Sequence, residues 1–109
     1  MKIGSAIKSI RKKLGITQSD LAVKCSLSQT SLSLIEGNQK RPSRNTVTKI
    51  CEVMDIPEFV IYVVALGESE VPASKVESFK IFYPIIMKLT LQMLDEEHVK
   101  LIEGDGKYG

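Results

Sequence analysis

Residues 17–36 read TQSDLAVKCSLSQTSLSLIE, and this stretch decides the fold. Thr17 is a good helix N-cap, and Asp20, three residues on, gives a capping-box pattern. Leu21, Ala22 and Cys25 then form the inner face of a short helix. Ser28 caps a second helix, whose inner residues are Leu32 and Ile35. The chain between the two leaves room only for a tight turn, which predicts a helix-turn-helix. Gln18 and Gln29, eleven residues apart, each stand at the head of one of these helices. A long amide at the head of the second helix is the side chain that bonds an adenine edge in a DNA major groove.

On the N-terminal side, Ile3, Ile7, Ile10 and Leu14 recur at helical spacing with Lys8, Arg11 and Lys12 opposite, so a first helix should end at Gly15. On the other side, the turn residues of GNQKRP at 37–42 make a loop. Ser43 caps a fourth helix with the stripe Val47, Ile50, Cys51 and Met54. Pro57 fits the first turn of a fifth, which carries Phe59, Val60, Val63 and Val64. GESE at 67–70 breaks the pattern. Beyond it Phe79, Phe82, Ile86, Leu89 and Met93 step by three and four residues, a heptad-like seam widened by Ile85, Met87 and Leu94. Pro84 predicts a short helix, then a kink or break, then a helix from Pro84 to about Glu96. No stretch alternates as a strand would. The expected molecule is all-α: a DNA-binding domain at 1–66, a C-terminal helical extension at 67–103 and a disordered tail at 104–109.

A chain of 109 residues, 43% hydrophobic and 26% charged, is one small domain with an appendage. Its net charge of +2 conceals a division. Residues 1–49 hold ten Lys and Arg against Asp20 and Glu36, a net of +8, while residues 50–109 carry a net of −6. A basic first half fits a nucleic-acid face, and the acidic second half has a different task. Cys25 and Cys51 suit neither a disulfide framework nor a metal site, and both fall on apolar helix faces. The longest apolar run, Phe59 to Leu66, is too short to span a bilayer. No secretory signal opens the chain, so a cytoplasmic protein without membrane contact is expected. His98 sits among Asp95, Glu96 and Glu97 without metal-ligand spacing, and GDGK at 104–107 lacks the spacing of a phosphate loop. No nucleophile and base pair up, so the expectation is a non-enzyme without cofactor or metal.

Residues 3–65 resemble the lambda-repressor-like domain of Cro/repressor-type (XRE family) transcriptional regulators. Gln18, Ala22, Leu27, Leu32, Ile35, Glu36 and Pro42-Ser43 match in register, followed by the stripe of the fourth helix. The resemblance implies a five-helix domain in which Ala22 lets the paired helices cross closely. It also implies that Gln18 adds its amide to a phosphate contact and braces Gln29. Three positions depart from the family. Ser26, Asn38 and Asp55 stand where glycine is common after a helix, and a left-handed residue other than glycine carries a strain cost.

The candidate DNA contacts are Gln18, Ser28, Gln29, Thr30, Ser33, Leu34, Asn38, Lys40, Arg41 and Arg44. Gln29 is expected to read a base, and Thr30 a base or a phosphate. Leu34 either meets a thymine methyl or packs on the protein. Lys40, Arg41 and Arg44 are expected on the DNA backbone. Arg11, Lys12 and Lys13 are read as ordinary surface. The extension's apolar surface is too wide to leave in water. Phe59, Val63, Phe79, Phe82, Ile86, Leu89 and Met93 are the candidate contacts of a homodimer or of a partner protein, and an intrachain cap is the third option. The favoured reading is a sequence-specific homodimeric repressor on double-stranded DNA. The alternative is an antitoxin or adaptor that binds a partner through its C-terminal helices.

Overall fold

The computed structural model describes residues 1–67 and 70–94. Expectations for the tail at 104–109 and for His98 lie outside those residues. Five helices form the N-terminal unit: α1 (Ile3–Lys13), α2 (Gln18–Lys24), α3 (Gln29–Glu36), α4 (Arg44–Met54) and α5 (Glu58–Ala65). A 3-10 turn at Ala73–Lys75 leads into α6 (Val76–Gln92). No strand occurs among the described residues.

Three of these helices start as their sequences dictate. The hydroxyls of Thr17, Ser28 and Ser43 accept from the backbone N–H of Asp20, Ser31 and Thr46 at 3.0–3.1 Å. Each bond satisfies one of the free donors at a helix start, worth about 1 kcal/mol. Pro57 precedes α5 as its cap residue, one position earlier than expected.

The first four helices end by a common device. A left-handed residue follows each: Gly15 (φ 75°), Ser26 (φ 59°), Asn38 (φ 61°) and Asp55 (φ 58°). The N–H after it reaches back five residues, as in Ile16 to the Arg11 carbonyl, Leu27 to Ala22, Gln39 to Leu34 and Ile56 to Cys51, at 2.9–3.1 Å. This is the Schellman closure, in which an apolar residue after the turn packs back on the helix. Ile16, Leu27 and Ile56 do so. Gln39 does not need to, because it leads into the exposed basic loop.

The core joins all five helices. Ile7 and Ile10 of α1, Leu21 of α2, Leu32 of α3, Ile50 of α4, and Val60 and Ile61 of α5 are fully enclosed. Each contributes about 1.5–3 kcal/mol by leaving water. Ile61, not the exposed Phe59, carries the inner face of α5 beside Val60. Gly4 lets α1 cross the end of α3, because a Cβ there would overlap the Ile35 carbonyl oxygen. Cys25 and Cys51 are buried. Burial pushes both thiols up, Cys51 to about 11 with the Glu58 carboxylate adding to the effect, so neither is a thiolate near neutrality.

The extension departs from expectation. α6 runs unbroken through Pro84, so the predicted break is corrected, and it ends at Gln92 rather than near Glu96. Proline removes one rung of the helix ladder. A ring stack within α6 and tertiary contacts on both sides of the proline offset the loss. Phe79 stacks on Tyr83 at 4.7 Å, the Tyr83 hydroxyl donates to the Val63 carbonyl at 3.1 Å, and Thr90 and Leu94 are buried further along. The residues that cap the domain are therefore Tyr83, Met87, Thr90, Leu91 and Leu94, with Phe79 joining them. The rest of the predicted seam, Phe82, Ile86, Leu89 and Met93, lies on the flank beside that stripe, with Ile81 and Ile85 further round, all exposed.

Candidate nucleic-acid interface

The interface is built on a buried ion pair. Arg11 Nε donates to Glu36 Oε2 at 2.8 Å, and Nη2 donates to Oε1 at 3.0 Å. Arg11 Nη1 donates to the Ile16 carbonyl at 2.9 Å, and both residues are buried. Arg11 is therefore a structural residue, a correction to its reading as surface. Two parallel bonds and a carbonyl make good the desolvation of both ions. They tie the end of α1 to the end of α3 and to the turn before α2. Among the described residues no buried side-chain polar atom lacks a partner.

The pair also sets the direction of a hydrogen-bond chain that reaches the surface. An ionised carboxylate only accepts, so Gln18 must offer its NH2 to Glu36. Gln18 Nε2 donates to Glu36 Oε1 at 3.0 Å. That leaves Gln18 Oε1 as an acceptor, and Gln29 Nε2 donates to it at 3.3 Å. Gln29 Oε1 then faces the Ser19 hydroxyl, which donates at 3.1 Å. The amide of Gln29, otherwise free to flip, is held in one orientation by the Glu36 carboxylate two hydrogen bonds away.

The sequence-predicted residues fall into two groups. Gln18, Gln29, Thr30, Ser33 and Leu34 line one shallow hollow along the outer side of α3. Leu34 is 38% exposed there, so it faces outward rather than packing against α4. Asn38, Lys40 and Arg41 line a second hollow with Lys2 from the start of α1, a cation absent from the predicted contacts. Lys40 Nζ donates to Ser31 Oγ at 2.9 Å, which lays its side chain along α3. Asn38 Nδ2 donates to Ser5 Oγ at 2.7 Å, so its amide fastens the loop to α1. Ser28 and Arg44 line neither hollow: Ser28 is committed to capping α3, and Arg44 is exposed at the first turn of α4.

The ion pair leaves the charge of the first half facing outward. Glu36 is neutralised inside, so Asp20 is the one exposed acid in residues 1–49. Two short helices joined by a tight turn, the second presenting an amide, two hydroxyls and an apolar contact beside a basic loop, define a helix-turn-helix DNA-binding domain.

The chain belongs to the helix-turn-helix family (HTH_3), whose model matches residues 7–61. Its fold is similar to the crystal structure of the clp gene regulator ClgR from Corynebacterium glutamicum, with a TM-score of 0.58 over 96% of this chain and 90% of that one. The two are 20% identical, a likeness of fold that runs past the family match into the extension. No curated protein matches the chain. Among the described residues no helix is long and apolar enough to cross a membrane, and no cluster of His, Cys, Asp and Glu has the makings of a metal site.

Proposed function

We propose that this chain is a sequence-specific transcriptional repressor that acts as a homodimer in the cytoplasm and reads the major groove with α3. The observation that carries the reading is the oriented amide of Gln29, exposed at the head of α3 and backed by Gln18 and the Arg11–Glu36 pair. Thr30 and Ser33 extend the polar edge, and Leu34 supplies an apolar contact for a thymine methyl. Lys40, Arg41, Arg44 and Lys2 engage phosphates and set the register. Gln18, half-buried behind Gln29, adds its place at the start of α2. No step of this function calls for catalysis.

Dimerisation is supported by the exposed apolar face of α6, with Phe59 of α5 beside the same half of the molecule's sequence. Readers of this type bind half-sites about 34–36 Å apart, which calls for two-fold symmetry. The same face also suits a partner protein, the adaptor or antitoxin reading. Selection of bound duplex from a random pool tests the proposal. A palindromic motif with half-sites one helical turn apart is the expected result, with log affinity falling linearly against log salt. An unselective pool, or affinity flat with salt, overturns it. A chain that is monomeric by light scattering and binds single half-sites favours the adaptor reading.

A further inference from the structure

Where α6 lies on the N-terminal unit, a cavity of about 310 Å³ opens between α1, α5 and α6. Its walls are apolar: Ile10, Val64, Met87, Leu91 and Leu94. Among the described residues its polar groups are two, the Ser9 hydroxyl and the Lys13 ammonium, both from α1 and hence on one side. Such a lining gives an ordered water few partners. It suits a ligand with an apolar body and one polar end. Lys13 is the one charged group among the described residues of the lining, so that end is an anion. At the packing density of protein interiors the space takes about ten to twelve non-hydrogen atoms. Met87, with its flexible thioether, can fit itself to a chain or a ring.

We propose that this cleft binds a small amphiphilic monocarboxylate, its carboxylate on Lys13 and Ser9 and its apolar tail against Met87 and Leu91. The cleft joins two parts of the chain. α1 belongs to the family domain, and α6 lies beyond the family match. A bound ligand therefore cross-links the extension to the DNA-binding unit and makes the cleft an effector site. That last step rests on the DNA-binding reading, whereas binding itself does not.

Octanoate, with ten non-hydrogen atoms, is the probe, titrated into the full chain carrying ¹³C-methyl methionine. Met87 lines the cleft, Met54 is in the core, and Met93 is on the outer face of α6. The expected result is a saturable shift of the Met87 methyl with Met54 and Met93 unmoved. Lys13→Gln, an exposed position that leaves the fold intact, should weaken the binding about tenfold, as should exchange of octanoate for octanol. Shifts that do not saturate, or that move Met93 as far as Met87, mean surfactant coating of the outer face and overturn the site. Octanol binding as well as octanoate, or Lys13→Gln without effect, overturns the anion. DNA selection does not enter any of these readouts, so failure here and failure of the DNA-binding reading are separate events.

Discussion

Gln29 spends one amide hydrogen on Gln18 and one carbonyl lone pair on Ser19. One hydrogen and one lone pair remain, which is the donor and acceptor set that pairs with N7 and N6 of adenine. Gln29→Ala should cost about 1–3 kcal/mol of discrimination at a single base pair, read by competition between operators that differ at that position. Affinity for unrelated duplex should hardly change, because phosphate contacts supply it. Arg11 offers a sharper separation of roles. Arg11→Leu alone leaves Glu36 buried and unpaired, and should lower unfolding stability by about 3–5 kcal/mol in urea titrations. Removing both ions, with Arg11→Leu and Glu36→Leu, should restore most of that stability. It also removes the acceptor that orients Gln18, so the double variant should fold well and discriminate bases poorly.

At the scale of the helices, the ends carry the instruction and one of them carries strain. Ser26 holds a left-handed conformation that costs a residue with a Cβ about 1–2 kcal/mol. Ser26→Gly relieves it, less the entropy glycine adds to the unfolded chain, and should raise stability by up to about 1 kcal/mol. Asn38→Gly should not help, because asparagine tolerates this conformation and its amide also bonds Ser5. Gly4→Ala should destabilise by at least about 1–3 kcal/mol through its clash with the end of α3. Thermal melts of the three variants rank them. Caps and inner stripes made α2, α3 and α4 legible from sequence, since N-capping hydroxyls and apolar spacing act locally. Arg11 is not legible from sequence for the opposite reason. Its spacing from Gly4 and Ile7 places it near the inner stripe, but a charge reads locally as solvent-facing, and the partner that offsets its desolvation lies 25 residues away. Pro84 follows the same logic: the local rule predicts a kink or break, and contacts from Tyr83 and Leu94 to the domain keep the helix continuous through it. Spacing gave the seam of α6 its members but not its direction, because a helix that is apolar on two faces does not declare which one its own domain will cover.

Taken whole, the molecule has a basic half that fits DNA and an acidic half that repels it, with an apolar stripe left on the second. Ile81, Phe82, Ile85, Ile86, Leu89 and Met93 are each more than two-fifths exposed. They form two adjacent columns, wider than the two-column-per-heptad seam of a simple coiled coil needs. Their positions are nearly symmetric about the middle of α6: Phe82 stands as far before the Ile85–Ile86 step as Leu89 stands after it. Two copies laid antiparallel across that step would set Phe82 against Leu89 twice, the self-complementary contact that a two-fold axis demands. Ile86 would then lie beside the axis and meet its own neighbourhood. A lysine there would place two like charges in the centre of an apolar contact, whereas in the isolated chain it would simply enter water. Ile86→Lys should therefore leave the melting temperature of a dilute sample within about one or two degrees and convert the proposed dimer to a monomer in sedimentation. Operator affinity should fall at least tenfold while binding to a single half-site persists. An Ile86→Lys chain that still sediments as a dimer would place the two-fold contact elsewhere and leave the stripe on α6 to a different protein.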